Sequence, residues 1–146
     1  MLACCGQWSR HPIALLILGV SFHAENAEAE LGTALLKSYS GEFLSPTPDT
    51  IAAAAASLGP RTPPDERHTP VNAPGANSYP LINHEYAIVS TRQTNAATAD
   101  AIRRFLLWAI APDETNERYL SAARFIALPA HIWVLSDDQI EMISSK

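Results

Sequence analysis

Cysteine is nearly absent from this chain of 146 residues, and the two present, Cys4 and Cys5, are adjacent. Neighbouring cysteines seldom bridge each other, so there is neither a disulfide framework nor a metal spacing. Long hydrophobic runs are missing as well: Pro12–Val20 (PIALLILGV) is too short to span a bilayer as a helix. The net charge is −5 and no basic run occurs, which argues against nucleic-acid or acidic-membrane partners. A small anion remains possible, because local hydrogen-bond donors decide that. No Gly-x-Ser-x-Gly, P-loop, dinucleotide glycine pattern or His-Glu-x-x-His is found, and an enzyme is the least favoured class. The histidines at 11, 23, 68, 84 and 131 are scattered without ligand spacing and read as surface or packed residues. Neither a metal nor any other cofactor is expected, and no residue is assigned a catalytic role.

What is present describes a globular chain. Apolar residues make up 47% and charged residues 17%. The length suits one domain and is short for two full lobes. Eleven prolines and many alanines point to long loops beside short helices.

The stretch Tyr79–Ile110 organises the rest. An extended entry at Tyr79-Pro80 leads to an expected strand over Ile82–Ser90, where Ala87, Ile88 and Val89 in succession suggest cover on both faces. Gln93-Thr94-Asn95 breaks the strand, and Asn95 suits an N-cap because its side-chain oxygen accepts from free helix amides. Ile102, Phe105, Leu106, Ala109 and Ile110 then recur on one helical stripe. Asp100 and Arg104 stand one turn apart, off that stripe, and can pair weakly. His84 and Glu85 adjoin on the strand and point to opposite faces, which is poor for a shared site.

Around this stretch, Ala24–Glu30 reads as a short polar helix and Ala34–Tyr39 as a strand turning at Ser40-Gly41. Leu44–Leu58 holds a helix signalled by Thr47 as N-cap, Pro48 at its first position and Asp49 in its first turn, with Gly59-Pro60 ending it. Gly59–Ser78 reads as a long surface loop. Ala111-Pro112-Asp113 breaks the chain, and Thr115–Ala123 is helical with Tyr119, Leu120 and Ala123 as its small apolar face. Phe125–Pro129 is extended, followed by a brief helix through Ile132, Trp133 and Val134. Ser136-Asp137-Asp138-Gln139 reads as a capping box opening a last helix that buries Ile140 and Ile143.

YPLINHEYAIV…AATADAIRRFLLWAI resembles the C-terminal region of the phosphate-binding protein of Pst-type phosphate ABC transporters, where a Tyr-Pro-(Ile/Leu)-x-Asn-x-Glu-Tyr strand precedes an Ala/Thr-rich helix ending Phe-Leu-x-Trp-Ala. ILGVSF, the Leu44–Leu58 helix, FIALP and the Ser136–Ile143 segment fit the same region in the same order. His84 departs from it, since an aromatic is usual there, as do Ala130 and an extra residue near Glu114. The resemblance covers about Ile17 to Lys146 and represents the last third or so of a family member, leaving residues 1–16 unpatterned. Two readings of the early apolar run compete: a signal peptide with Arg10, Pro12–Val20 and Ala27-Glu28-Ala29, or a buried strand at Ile17–Phe22, which the resemblance favours.

The resemblance implies an α/β fold, a partial type II periplasmic-binding-protein-like arrangement with a small sheet flanked by helices and without the N-terminal lobe elements. It implies inorganic phosphate as ligand, ABC permease subunits as partners and an extracytoplasmic, cell-envelope location. Family members grip phosphate between two lobes, with motifs that belong ahead of the part seen here. No position of this sequence matches those motifs, so no ligand residue is expected, and weak or defective phosphate binding follows. The nearest independent candidates are Ser45 and Thr47 at the proline-led helix start, where a plain cap is the simpler reading. The alternatives to a transport component are a non-enzymatic envelope interaction fragment and the product of a decayed gene.

Overall fold

A chain reversal made possible by one glycine begins the regular structure. Gly41 has φ +95°, a conformation open to glycine, and its amide donates to the Ser38 carbonyl at 3.0 Å. The turn closes an antiparallel hairpin of β1 (Leu36–Lys37) and β2 (Phe43–Leu44), with Leu36 opposite Leu44. Both strands are shorter than Ala34–Tyr39 promises. In this computed structural model the described residues are 19, 32–111 and 115–145, and the elements among them belong to one unit, Gly32–Lys146. The expected strand at Ile17–Phe22, the helix at Ala24–Glu30, the signal-peptide reading and the break at Pro112-Asp113 lie outside the described residues.

Helix α1 (Pro48–Ser57) starts where the sequence says it should. The Thr47 Oγ1 accepts from the Thr50 amide at 3.3 Å and the Thr50 Oγ1 accepts from the Thr47 amide at 3.0 Å, a reciprocal cap. Five consecutive alanines favour the helix, and a 3-10 turn at Gly59–Arg61 ends it. Ala54, Ala55 and Leu58 form its buried face with Ala73, Tyr79 and Ile82. The Gly59–Ser78 segment is therefore more than a surface loop. Pro70, Ala73 and Ser78 are buried, and the Tyr79 amide that follows donates to the Thr50 carbonyl at 3.0 Å.

The strand expected over Ile82–Ser90 does not form. No backbone group of residues 81–90 pairs with another backbone group among the described residues, Ala87 is exposed, and Ile88 is 99% exposed. An apolar run marks a segment fit for a sheet, but a strand exists only where a neighbour supplies the ladder. Just beyond the segment, β3 (Arg92–Gln93) pairs in parallel with β4 (Ser144–Ser145). The single sheet expected to collect Ile82–Val89 is thus replaced by two short ladders among the described residues, neither of which includes that segment.

Helix α2 (Ala96–Ile110) is capped by Asn95, whose Oδ1 accepts from the Thr98 amide at 2.8 Å. Its inner face is Ala99 with Ile102, Leu106, Leu107 and Ile110, packed with Val89, Ile140 and Ile143. Phe105 is 61% exposed, so the stripe read from the sequence is turned slightly from the one the fold buries. Asp100 pairs with Arg104 at 2.7 Å and reaches Arg103 at 3.9 Å. Both contacts are largely solvated, worth about 0.3–0.5 kcal/mol each at most.

Helix α3 (Glu117–Ala122) fully buries none of its residues: of the small apolar face expected there, Leu120 is half-buried, while Tyr119 and Ala123 are exposed and Ala123 lies past the helix end. Just before it, buried Asn116 donates from Nδ2 to the carbonyls of Trp108 and Ala109, each at 2.8 Å, satisfying the end of α2. Helix α4 (Ala130–Glu141) is continuous where the sequence suggested two pieces. Ser136 sits inside it, not at a cap: its hydroxyl donates to Glu66 Oε1 at 2.8 Å, and Gln139 Nε2 donates to the Pro64 carbonyl at 3.1 Å. Distant partners outcompete the local box. Ile140 and Ile143 are buried as expected.

Candidate functional site

The α1 start is the nearest candidate for an anion, and the donors of Thr47 and Thr50 there are occupied. Besides the reciprocal threonine cap, the Thr47 amide lies 2.9 Å from the Ser45 carbonyl, which also accepts from Thr50 Oγ1 at 2.6 Å. Ser45 and Thr47 serve the helix, and nothing there is aimed at a ligand.

The structure instead gathers polar chemistry where three distant segments meet. His68 from the loop after α1 and His84 from the extended segment lie edge to face, with ring centres 5.6 Å apart. Tyr86 continues the array at 6.4 Å from His84, and its hydroxyl donates to the Glu66 carbonyl at 3.0 Å. His131 in the first turn of α4 lies against Gly59, so closely that a methyl group on that glycine would come within 2.7 Å of the ring. Both ring nitrogens of His68, Nε2 of His84 and Nε2 of His131 are buried with no hydrogen-bond partner. Burial first, then the proximity of His68 and His131, holds the His84 pKa below the ordinary 6.5. Burial raises the Tyr86 hydroxyl above the ordinary tyrosine value, with the nearby Glu66 carboxylate adding to the shift.

Sequence spacing gave no warning of this cluster. Its members stand far apart in the chain and meet only because α4 lies against the loop after α1, through the Ser136–Glu66 and Gln139–Pro64 contacts. His84 and Glu85 do diverge as the alternation suggests, the histidine half-buried and the glutamate exposed. No group of three histidine, cysteine or acidic side chains among the described residues is placed to hold a metal ion.

A second feature is aromatic and exposed. Trp108 packs edge-on against Tyr119 with ring centres 5.3 Å apart, Phe105 lies 6.0 Å from Trp108, and Arg118 stacks over Tyr119 at 4.6 Å. Trp108 thus anchors α3 to the end of α2. A shallow depression beside it is lined by Thr115, Glu117, Arg118 and Ser121. No described helix is long and apolar enough to cross a membrane.

The architecture, helices with small two-stranded ladders, is a mixed α/β arrangement. No family model matches the chain. It is similar to the phosphate-binding protein PstS of Methanocaldococcus jannaschii, with 27% identity over 126 residues, covering 80% of this chain and 32% of that protein. The chain therefore spans about a third of the length of this curated relative. The similarity indicates a distant relationship to a phosphate-binding protein.

Proposed function

We propose that residues 17–146 correspond to the C-terminal portion of a type II periplasmic-binding-protein-like domain, and that the chain derives from the substrate-binding component of an ABC-type phosphate importer. The observation that carries this reading is the similarity to PstS across 80% of the chain. The caps at Thr47 and Asn95 and the burial of Ile140 and Ile143, all in segments that resemble the family, are consistent with it. On this reading the protein acts outside the cytoplasm, beside permease subunits, and is a binding protein, not an enzyme.

The chain alone binds phosphate weakly or not at all. The Thr50 and Thr98 amides are taken by caps, and no histidine or arginine converges with these helix starts on an anion-sized site among the described residues. Isothermal titration of the purified chain with inorganic phosphate tests this: no saturable heat below millimolar concentrations is expected, and micromolar affinity overturns it.

One observation favours a second reading, a non-enzymatic fragment that pairs with another envelope protein. The extended segment 81–90 exposes Leu81, Tyr86 and Ile88 and leaves its backbone unpaired among the described residues, which suits the addition of a partner strand. Size-exclusion chromatography separates the readings, because a clean monomer that recruits no envelope protein counts against the second.

A further inference from the structure

Neutral imidazole has one nitrogen that donates and one that accepts, and protonation converts both to donors carrying a positive charge. His68, His84 and His131 enclose four buried ring nitrogens with no partner. Such nitrogens are tolerable while uncharged and costly once charged, since a buried charge requires a counter-charge or several hydrogen bonds. We propose that these three histidines form an acid-released latch, which holds the loop Pro63–His68 and the segment His84–Tyr86 against α4 at neutral pH and lets go on acidification.

The titratable and charged groups around His84 come from three segments. His68 and Glu66 belong to the loop, His131 to α4, and Tyr86 to the segment of His84 itself. Glu66 is the carboxylate in this set, and its Oε1 already accepts from Ser136. Beyond burial, the proximity of His68 and His131 makes a proton on His84 harder to place, because like charges repel across a half-buried gap. The remaining contacts between loop and helix, Ser136 to Glu66 and Gln139 to Pro64, are neutral-to-charged or neutral hydrogen bonds that do not supply a new acceptor for an imidazolium.

The folded pKa of His84 lies below its unfolded value of 6.5, so the folded latch binds fewer protons than the opened one. Its stabilising contribution is complete above pH 6.5 and is lost as pH falls from there through the folded pKa. Each unit of separation between the two values multiplies the opening equilibrium by about ten.

Hydrogen exchange tests the latch. The amides of Glu66 and His68, which donate to the Pro63 and Glu66 carbonyls, and those of Ile132 and Trp133, which donate to the Pro129 carbonyl, report opening on either side. After correction for intrinsic exchange, their opening is expected to rise several-fold between about pH 7.5 and about pH 5.5 in the wild type. In His84→Phe, which keeps an aromatic edge against His68 and cannot titrate, the rise is expected to shrink to less than half. Equal protection at the two pH values in the wild type, or an undiminished rise in His84→Phe, overturns the proposal. A proton NMR titration of the imidazole carbons gives a readout that does not depend on a core variant folding. The His84 midpoint is expected below 6.5 in the wild type and higher in His68→Asn than in the wild type. An ordinary His84 midpoint in the wild type, or one that His68→Asn leaves in place, also overturns it.

Discussion

The two hydrophobic clusters use similar helix faces and differ in what covers them. Around α2, large side chains meet other large side chains: Ile140 and Ile143 lie on Ala99, flanked by Val89, Ile102, Leu106, Leu107 and Ile110. Around α1, the helix offers Ala54 and Ala55, and irregular chain carrying Ala73, Tyr79 and Ile82 comes down onto them. Alanine gives little apolar area, but it lets backbone approach backbone. The Tyr79 amide reaches the Thr50 carbonyl for that reason, and Gly75, with φ +133°, shapes the loop that brings it there. One cluster is held by volume and the other by close fit.

That contrast predicts opposite sensitivities. The largest effect is expected from Ile140→Ala, which empties a site only 7% exposed and walled by branched side chains. The loss of transfer energy and the cavity left behind should together cost about 3 kcal/mol, read as a lower midpoint in urea at unchanged slope. A loss under about 1 kcal/mol would mean the α2 cluster collapses freely and is no better packed than a loop. Ala54→Leu tests the other side. Ala54 is 0% exposed, so added methylenes have to displace Tyr79 or its neighbours, at about 2 kcal/mol by the same measurement. If Ala54→Leu is neutral or stabilising, the α1 cluster contains slack and the contrast fails.

The legible parts of this fold are the ones whose physics is local. Thr47-Pro48-Asp49 and Asn95 mark helix starts because a cap is satisfied within four residues, and both caps stand where the sequence puts them. Ile140 is legible because its helix has a polar outer face, and Ile143 is buried just past the end of that helix. Ser136 misled for an instructive reason: a serine three residues before a glutamine satisfies the pattern of a capping box, yet Glu66 and Pro64 offer these side chains partners across the fold. Asn116, which the sequence places inside a Thr115–Ala123 helix, instead precedes α3 and closes the end of α2 through the Trp108 and Ala109 carbonyls. The histidine cluster had no local signature at all. His68, His84 and His131 become neighbours only through the docking of α4, so no spacing rule finds them, and the anion candidate that spacing did suggest at Ser45 and Thr47 proved to be a cap.

The segment 81–90 belongs to neither cluster along most of its length, and it supplies the smallest predicted effect. Ile82 is fixed under α1 and Val89 leans on the α2 cluster, while Ile88 is 99% exposed. Replacing a side chain that touches little removes little, so Ile88→Lys should change the stability of the monomer by no more than about 0.5 kcal/mol in urea denaturation. The sequence argued the reverse, since Ala87-Ile88-Val89 has the composition of a strand buried on both faces. The variant therefore discriminates between the two pictures. A cost near that of Ile140→Ala would show Ile88 covered in solution and would move 81–90 into the packed half of the comparison. A negligible cost, with loss of any oligomer seen for the wild type, would identify the segment as a surface whose partner lies on another chain.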